Sequence, residues 1–142
     1  MTEVRDSLHG TWDLVSFSAR LPDGSVTEPW GAHPVGRITY DSDGNVTALV
    51  MHELRNEADG RSSPPDTQAE FSAYFGSYKV DVERGLVTHK IVGSLSAAHA
   101  SHELRRKYEL TDGVLTLSFT RPRDGLPVGH VLSFKRVSSQ WP

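Results

Sequence analysis

Asp-Gly pairs punctuate this chain at short, fairly even intervals, and glycine after aspartate is the strongest short signal for a β-hairpin. The pair stands in Pro22-Asp23-Gly24, Ser42-Asp43-Gly44, Thr111-Asp112-Gly113 and Arg123-Asp124-Gly125, and Glu83-Arg84-Gly85 marks a further turn. Runs rich in Val, Ile, Thr, Tyr and Phe lie between these turns. Even spacing of such runs implies consecutive antiparallel hairpins, and therefore a sandwich or a closed barrel. The pattern predicts strands near 11–20, 26–30, 35–42, 45–52, 76–83, 86–93, 102–110, 113–120 and 128–137. The expected fold class is all-β, a single antiparallel up-and-down barrel of about 8–10 strands.

One segment reads differently. Pro64 and Pro65 precede a Thr67/Glu70 capping box, Phe71, Tyr74 and Phe75 follow at helical spacing, and Gly76 offers a stop. This predicts a short helix over 67–75, placed to cover one end of the barrel. The polar stretch 53–63 before it reads as a loop.

The chain of 142 residues fits one domain, 1–142. It contains no cysteine, which excludes disulfides, thiolate metal sites and cysteine nucleophiles and agrees with a cytoplasmic setting. The opening MTEVRDSLHG lacks the apolar run of a secretory leader, and no stretch is long and apolar enough for a membrane helix. Net charge is −3, so neither nucleic acid nor membrane is the expected partner. The basic cluster Arg105-Arg106-Lys107 is better read as strand alternation.

That alternation sorts side chains by face. Glu103, Arg105, Lys107 and Glu109 form a charged set, which places His102, Leu104, Arg106, Tyr108 and Leu110 on the inner face. If Lys90 faces solvent, His89 faces in with Val87 and Ile91. Tyr78, Val80 and Val82, then Leu115, Leu117 and Phe119, then His130, Leu132, Phe134 and Arg136 follow the same logic, as do Ile38, Tyr40, Val46, Ala48, Val50 and His52. An inward guanidinium is expensive unless it is paired or reaches water. A hollow, partly wet barrel accommodates it more readily than a solid core does.

Gly10-Thr11-Trp12-Asp13-Leu14-Val15-Ser16-Phe17, Pro29-Trp30-Gly31, Pro34-Val35-Gly36, Ile38-Thr39-Tyr40, Ala73-Tyr74-Phe75-Gly76-Ser77-Tyr78, Val87-Thr88-His89 and Arg106-Lys107-Tyr108-Glu109-Leu110 occur in order along nearly the whole chain. In these the sequence resembles the bacterial lipocalin-like domain family, small barrels of the calycin kind. The resemblance implies a compact barrel, a helix before the Tyr74-Phe75-Gly76 turn and a ligand cavity. It also implies a structural closure in which Trp12 of the first strand packs against Arg136 of the last. It leaves function open, because several such barrels serve as cyclases or isomerases in secondary metabolism.

His89 and Arg106 are the candidate catalytic pair, expected on neighbouring strands and facing one cavity. A guanidinium can anchor a carboxylate, enol or phenol oxygen, and an imidazole can move a proton near neutral pH. Tyr40, His52, Tyr78, Tyr108, Phe119 and His130 are candidate ligand-lining residues, and each has a plainer reading as core or rim packing. Trp30 reads as a rim residue. No metal is expected: His99 and His102 have ligand-like spacing, but Glu103 points away and no third ligand can be named. No cofactor is expected either, since phosphate loops, dinucleotide fingerprints and nucleophile elbows are missing.

Two functions fit. One is a cofactor-free isomerase or cyclase acting on a hydrophobic, oxygen-bearing metabolite, with Arg106 steadying an oxyanion and His89 moving a proton. The other is a carrier or sensor that binds such a molecule unchanged. The expected partner in both is a small molecule, and a homodimer is compatible with either.

Overall fold

The computed structural model describes residues 7–53, 71–95 and 102–137. It contains β1 (Gly10–Arg20), β2 (Val26–Thr27), β3 (Val35–Tyr40), β4 (Asn45–Met51), β5 (Phe71–Asp81), β6 (Leu86–Ser94), β7 (Glu103–Thr111), β8 (Val114–Arg123) and β9 (Leu126–Arg136). Strands β1 and β3 to β9 pair antiparallel in sequence order. β9 returns to β1 and closes an eight-strand barrel, while β2 pairs only with the end of β1. Closure removes the unpaired edges that an open sheet would present.

The turn chemistry explains the tight hairpins. Asp112 and Asp124 have φ of 51° and 53°, and Gly113 and Gly125 follow at 81° and 78°. Both central residues of each two-residue loop are therefore left-handed, the arrangement whose twist matches the flanking strands. The strands repeat the expected alternation; on β7, Leu104, Arg106, Tyr108 and Leu110 are half-buried between exposed charged neighbours. His102, expected on the inner face, is exposed just ahead of β7.

Two β-bulges reset this alternation. In β1, Leu14 pairs with Phe134 but Ser16 pairs with Ser133, so Val15 is squeezed outward at 43% exposure. The inward series thus changes phase, from Trp12 and Leu14 to Phe17 and Ala19. The second bulge is in β6: Phe75 pairs with Gly93 but Gly76 pairs with Ile91, which leaves Val92 as the extra residue, exposed like Val15.

The helix expected over 67–75 is corrected. Residues 71–75 are the first half of β5, paired with β4 through Met51↔Phe71 to Thr47↔Phe75. Residues 67–70 and the loop expected at 53–63, apart from Glu53, lie outside the described residues. Gly76 does not end a helix. At the bulge it lets the β6 backbone approach so closely that a Cβ would lie 1.9 Å from the Lys90 carbonyl oxygen. Phe75 lies on the outer face of the unbroken β5 alternation and is exposed with Leu49 and Val92 on three neighbouring strands.

One end of the barrel is packed solid. Trp12 is fully buried among Leu8, Val46, Val87, Leu115 and Phe134, and its indole N–H donates to the Leu8 carbonyl at 3.0 Å. Arg136 stacks on the Trp12 ring at 4.2 Å and donates to the carbonyls of Ser7 and His9. Trp12→Ala is expected to cost about 3–5 kcal/mol of unfolding free energy, the usual range for emptying a large aromatic site. Arg136→Ala is expected to cost about 1–3 kcal/mol through the lost ring stack and hydrogen bonds. Urea denaturation of the two variants measures both.

Candidate functional site

Each strand runs from the packed end toward an open half, and residues four apart on one strand therefore sit at different heights. β5 carries Tyr78 in the core and Tyr74 above it; β8 carries Leu115 below and Phe119 above; β9 carries Phe134 below and His130 above. The upper half encloses a cavity of about 290 Å³, at the small end of the range for ligand sites. Its body is apolar, with Phe17, Trp30, Val50, Leu104, Leu117 and Leu132 among the lining side chains. Trp30 leans on Phe17 at 4.6 Å between ring centres. Its loop is tied to the end of β4, where the Glu53 N–H donates to the Trp30 carbonyl at 3.0 Å.

His89 lies at the boundary between core and cavity and is fully buried. Its Nε2 is 2.7 Å from the Tyr40 hydroxyl, and its Nδ1 is 2.7 Å from the Tyr74 hydroxyl. Burial, helped by the nearby Arg106 charge, pulls the imidazole down to about 3, so it is neutral under ordinary conditions. Burial likewise pushes the Tyr74 phenol up to about 12 and Tyr40 well above its usual value. The three groups form an uncharged chain, Tyr40–His89–Tyr74, whose outer member lines the cavity.

Arg106 lies on the adjoining strand, with Val87 opposite it in register. Its guanidinium stacks on Phe119 at 3.7 Å and donates to the Arg105 carbonyl at 3.2 Å. Among the described residues no carboxylate pairs with it. Desolvation lowers it to about 10, which still leaves it charged at neutral pH. Arg121 approaches the same ring at 5.2 Å and also lines the cavity. Phe17, His130 and Phe119 stack in sequence at 5.7 and 4.8 Å, and this column carries the arginines on its far side.

A closed barrel with a packed end, a tryptophan–arginine closure and a hollow upper half is the geometry of a small-molecule binder. The profile of the lipocalin-like domain family matches residues 9–137. The chain belongs to that family. No curated protein matches it. For this lipocalin-like barrel the closure implied by the resemblance is present, and so is the cavity.

The predicted site residues divide by height. His89, Arg106, Phe119 and His130 line the cavity. Tyr40 reaches it only through His89, while Tyr78 donates to the Asp41 carbonyl at 2.8 Å within the core. Tyr108 packs against that same core, and half-buried His52 is not among the lining residues. Trp30, expected at the rim, does line the cavity. Tyr74 is the residue that the helix expectation hid. Extending the alternation Val80, Tyr78 back across Gly76 reaches it, and that was the available signal.

The imidazole sets a pH signature. In the unfolded chain His89 takes up a proton near pH 6.5, and in the folded barrel only near about 3. Its contribution to stability is therefore complete above pH 6.5 and is lost progressively as pH falls toward 3. Relative to His89→Gln, the native barrel is expected to lose about 2 kcal/mol more between pH 7 and pH 5. Chemical denaturation at a series of pH values reads the difference, and parallel curves would contradict a neutral buried imidazole.

Proposed function

We propose that this lipocalin-like barrel binds one small organic molecule with an apolar body and an acidic or electron-rich oxygen. The observation that carries this reading is the charge balance of the cavity. Arg106 and Arg121 line it, and among the described residues no Asp or Glu does. A half-buried guanidinium without an anion is a costly feature in a protein interior, and a ligand carboxylate or enolate would complete it. The aromatic and aliphatic walls supply the complementary surface for a ring or short chain.

A carrier or sensor role is favoured over an isomerase or cyclase. The groups turned toward the cavity stabilise negative charge, whereas both His89 nitrogens are already engaged by tyrosines. That arrangement suits holding an oxyanion better than abstracting a proton from carbon. The catalytic reading keeps one favourable feature: Arg106 and Tyr74 lie close enough to influence each other's ionisation, as two donors sharing a substrate oxygen would.

Naphthoate, a rigid apolar carboxylate of suitable size, is the probe. It is expected to bind the native barrel, and Arg106→Met is expected to weaken it by about 10–100-fold, the worth of a charge-assisted contact. Binding of neutral methylnaphthalene should change little. Calorimetry decides, and equal weakening of both probes would point to lost packing instead of a lost charge.

A further inference from the structure

The direction of the Tyr40–His89–Tyr74 chain follows from hydrogen-bond accounting. Tyr40 is completely buried, and among the described residues its hydroxyl has one hydrogen-bond partner, His89 Nε2. Its ring meets Tyr78 edge-on at 4.8 Å, and among the described residues no second acceptor bonds the hydroxyl. Leaving that hydrogen unaccepted is costly, so Tyr40 donates to Nε2. A neutral imidazole that accepts at Nε2 carries its hydrogen on Nδ1. Nδ1–H must then donate to the Tyr74 oxygen 2.7 Å away. Tyr74's own hydrogen is excluded from that bond and is left for the cavity that Tyr74 lines. The reverse direction would satisfy Tyr74 at the expense of the buried Tyr40.

We propose that Tyr74 is the specificity-determining donor of the cavity, oriented outward by Tyr40 through His89, so that the site selects a ligand oxygen that only accepts hydrogen bonds. This rests on the reading of the cavity as a ligand site and narrows the ligand class. Guanidinium groups have no acceptor, so Arg106 and Arg121 impose the same demand as Tyr74. A ketone, enolate or carboxylate meets all three donors; the hydrogen of an alcohol or amine finds no acceptor on either guanidinium, so such a ligand is favoured less at this corner of the cavity. Successive hydrogen bonds running one way polarise each other, which strengthens the final donor. Tyr40 and His89 are positioning residues in this scheme.

Nitrogen NMR of the isotopically labelled full chain reads which ring nitrogen of His89 carries the proton, with His89→Gln assigning the signal. Acetonaphthone and its matching alcohol, naphthylethanol, are then compared by calorimetry. The proton is expected on Nδ1, and the ketone is expected to bind about tenfold more tightly than the alcohol. Tyr74→Phe should abolish that preference while ethylnaphthalene still binds. Tyr40→Phe should erode it and mix the two proton positions, an effect that mere packing would not produce. A proton on Nε2, or an alcohol bound as tightly as the ketone, overturns the proposal. Binding of neither naphthalene overturns the ligand reading above, and the proton position then decides the direction of the chain by itself.

Discussion

Hydrogen bonds at 2.7 Å on both ring nitrogens of His89 determine how the interior of this barrel is divided. A buried imidazole satisfied on one side alone would carry an unpaired polar atom, and a charged one would need an anion that the described residues of this interior do not offer. Tyrosines from β3 and β5 meet the requirement without introducing charge. Below this layer Trp12 and Leu115 pack in the core, Phe134 spans core and cavity wall, and above it lies the cavity. The polar layer is thus both the top of the core and the floor of the site.

Arg106 depends on that neutrality. A protonated His89 would add a second positive charge to a wall that already carries Arg106 and Arg121, and the Arg106 charge in turn helps keep the imidazole neutral. The Phe119 ring gives the guanidinium a stacking partner that leaves its hydrogen-bond donors largely unspent. An interior too dry to ionise histidine makes a guanidinium there costly, and this is the ground for proposing a ligand with an acidic or electron-rich oxygen.

Much of this was legible in the sequence. The glycine turns and the apolar runs between them located eight of the nine strands within a few residues and the second half of β5, and alternation around Lys90 and Arg105 turned His89 and Arg106 inward, as the structure has them. Alternation reports which face a side chain occupies but not its height along the barrel axis, because height depends on strand register. Tyr78 and Tyr108 were inward as expected and still fell below the cavity floor. The bulge in β1 changes the phase between Leu14 and Phe17, and nothing in the local pattern announces it. The segment from Thr67 misled for a further reason. A capping box and aromatic spacing are local signals, whereas the pairing of β5 with β4 and β6 is a long-range gain that outweighs them.

A crystal structure of the chain grown with naphthoate tests the hollow, donor-lined interior most directly. The carboxylate should lie within hydrogen-bonding distance of Arg106, with the naphthyl rings between Trp30 and the upper strands and His89 still bridging its two tyrosines. Naphthoate confined to the outer surface, with Arg106 turned to bulk solvent or the upper half filled by collapsed side chains, would contradict it.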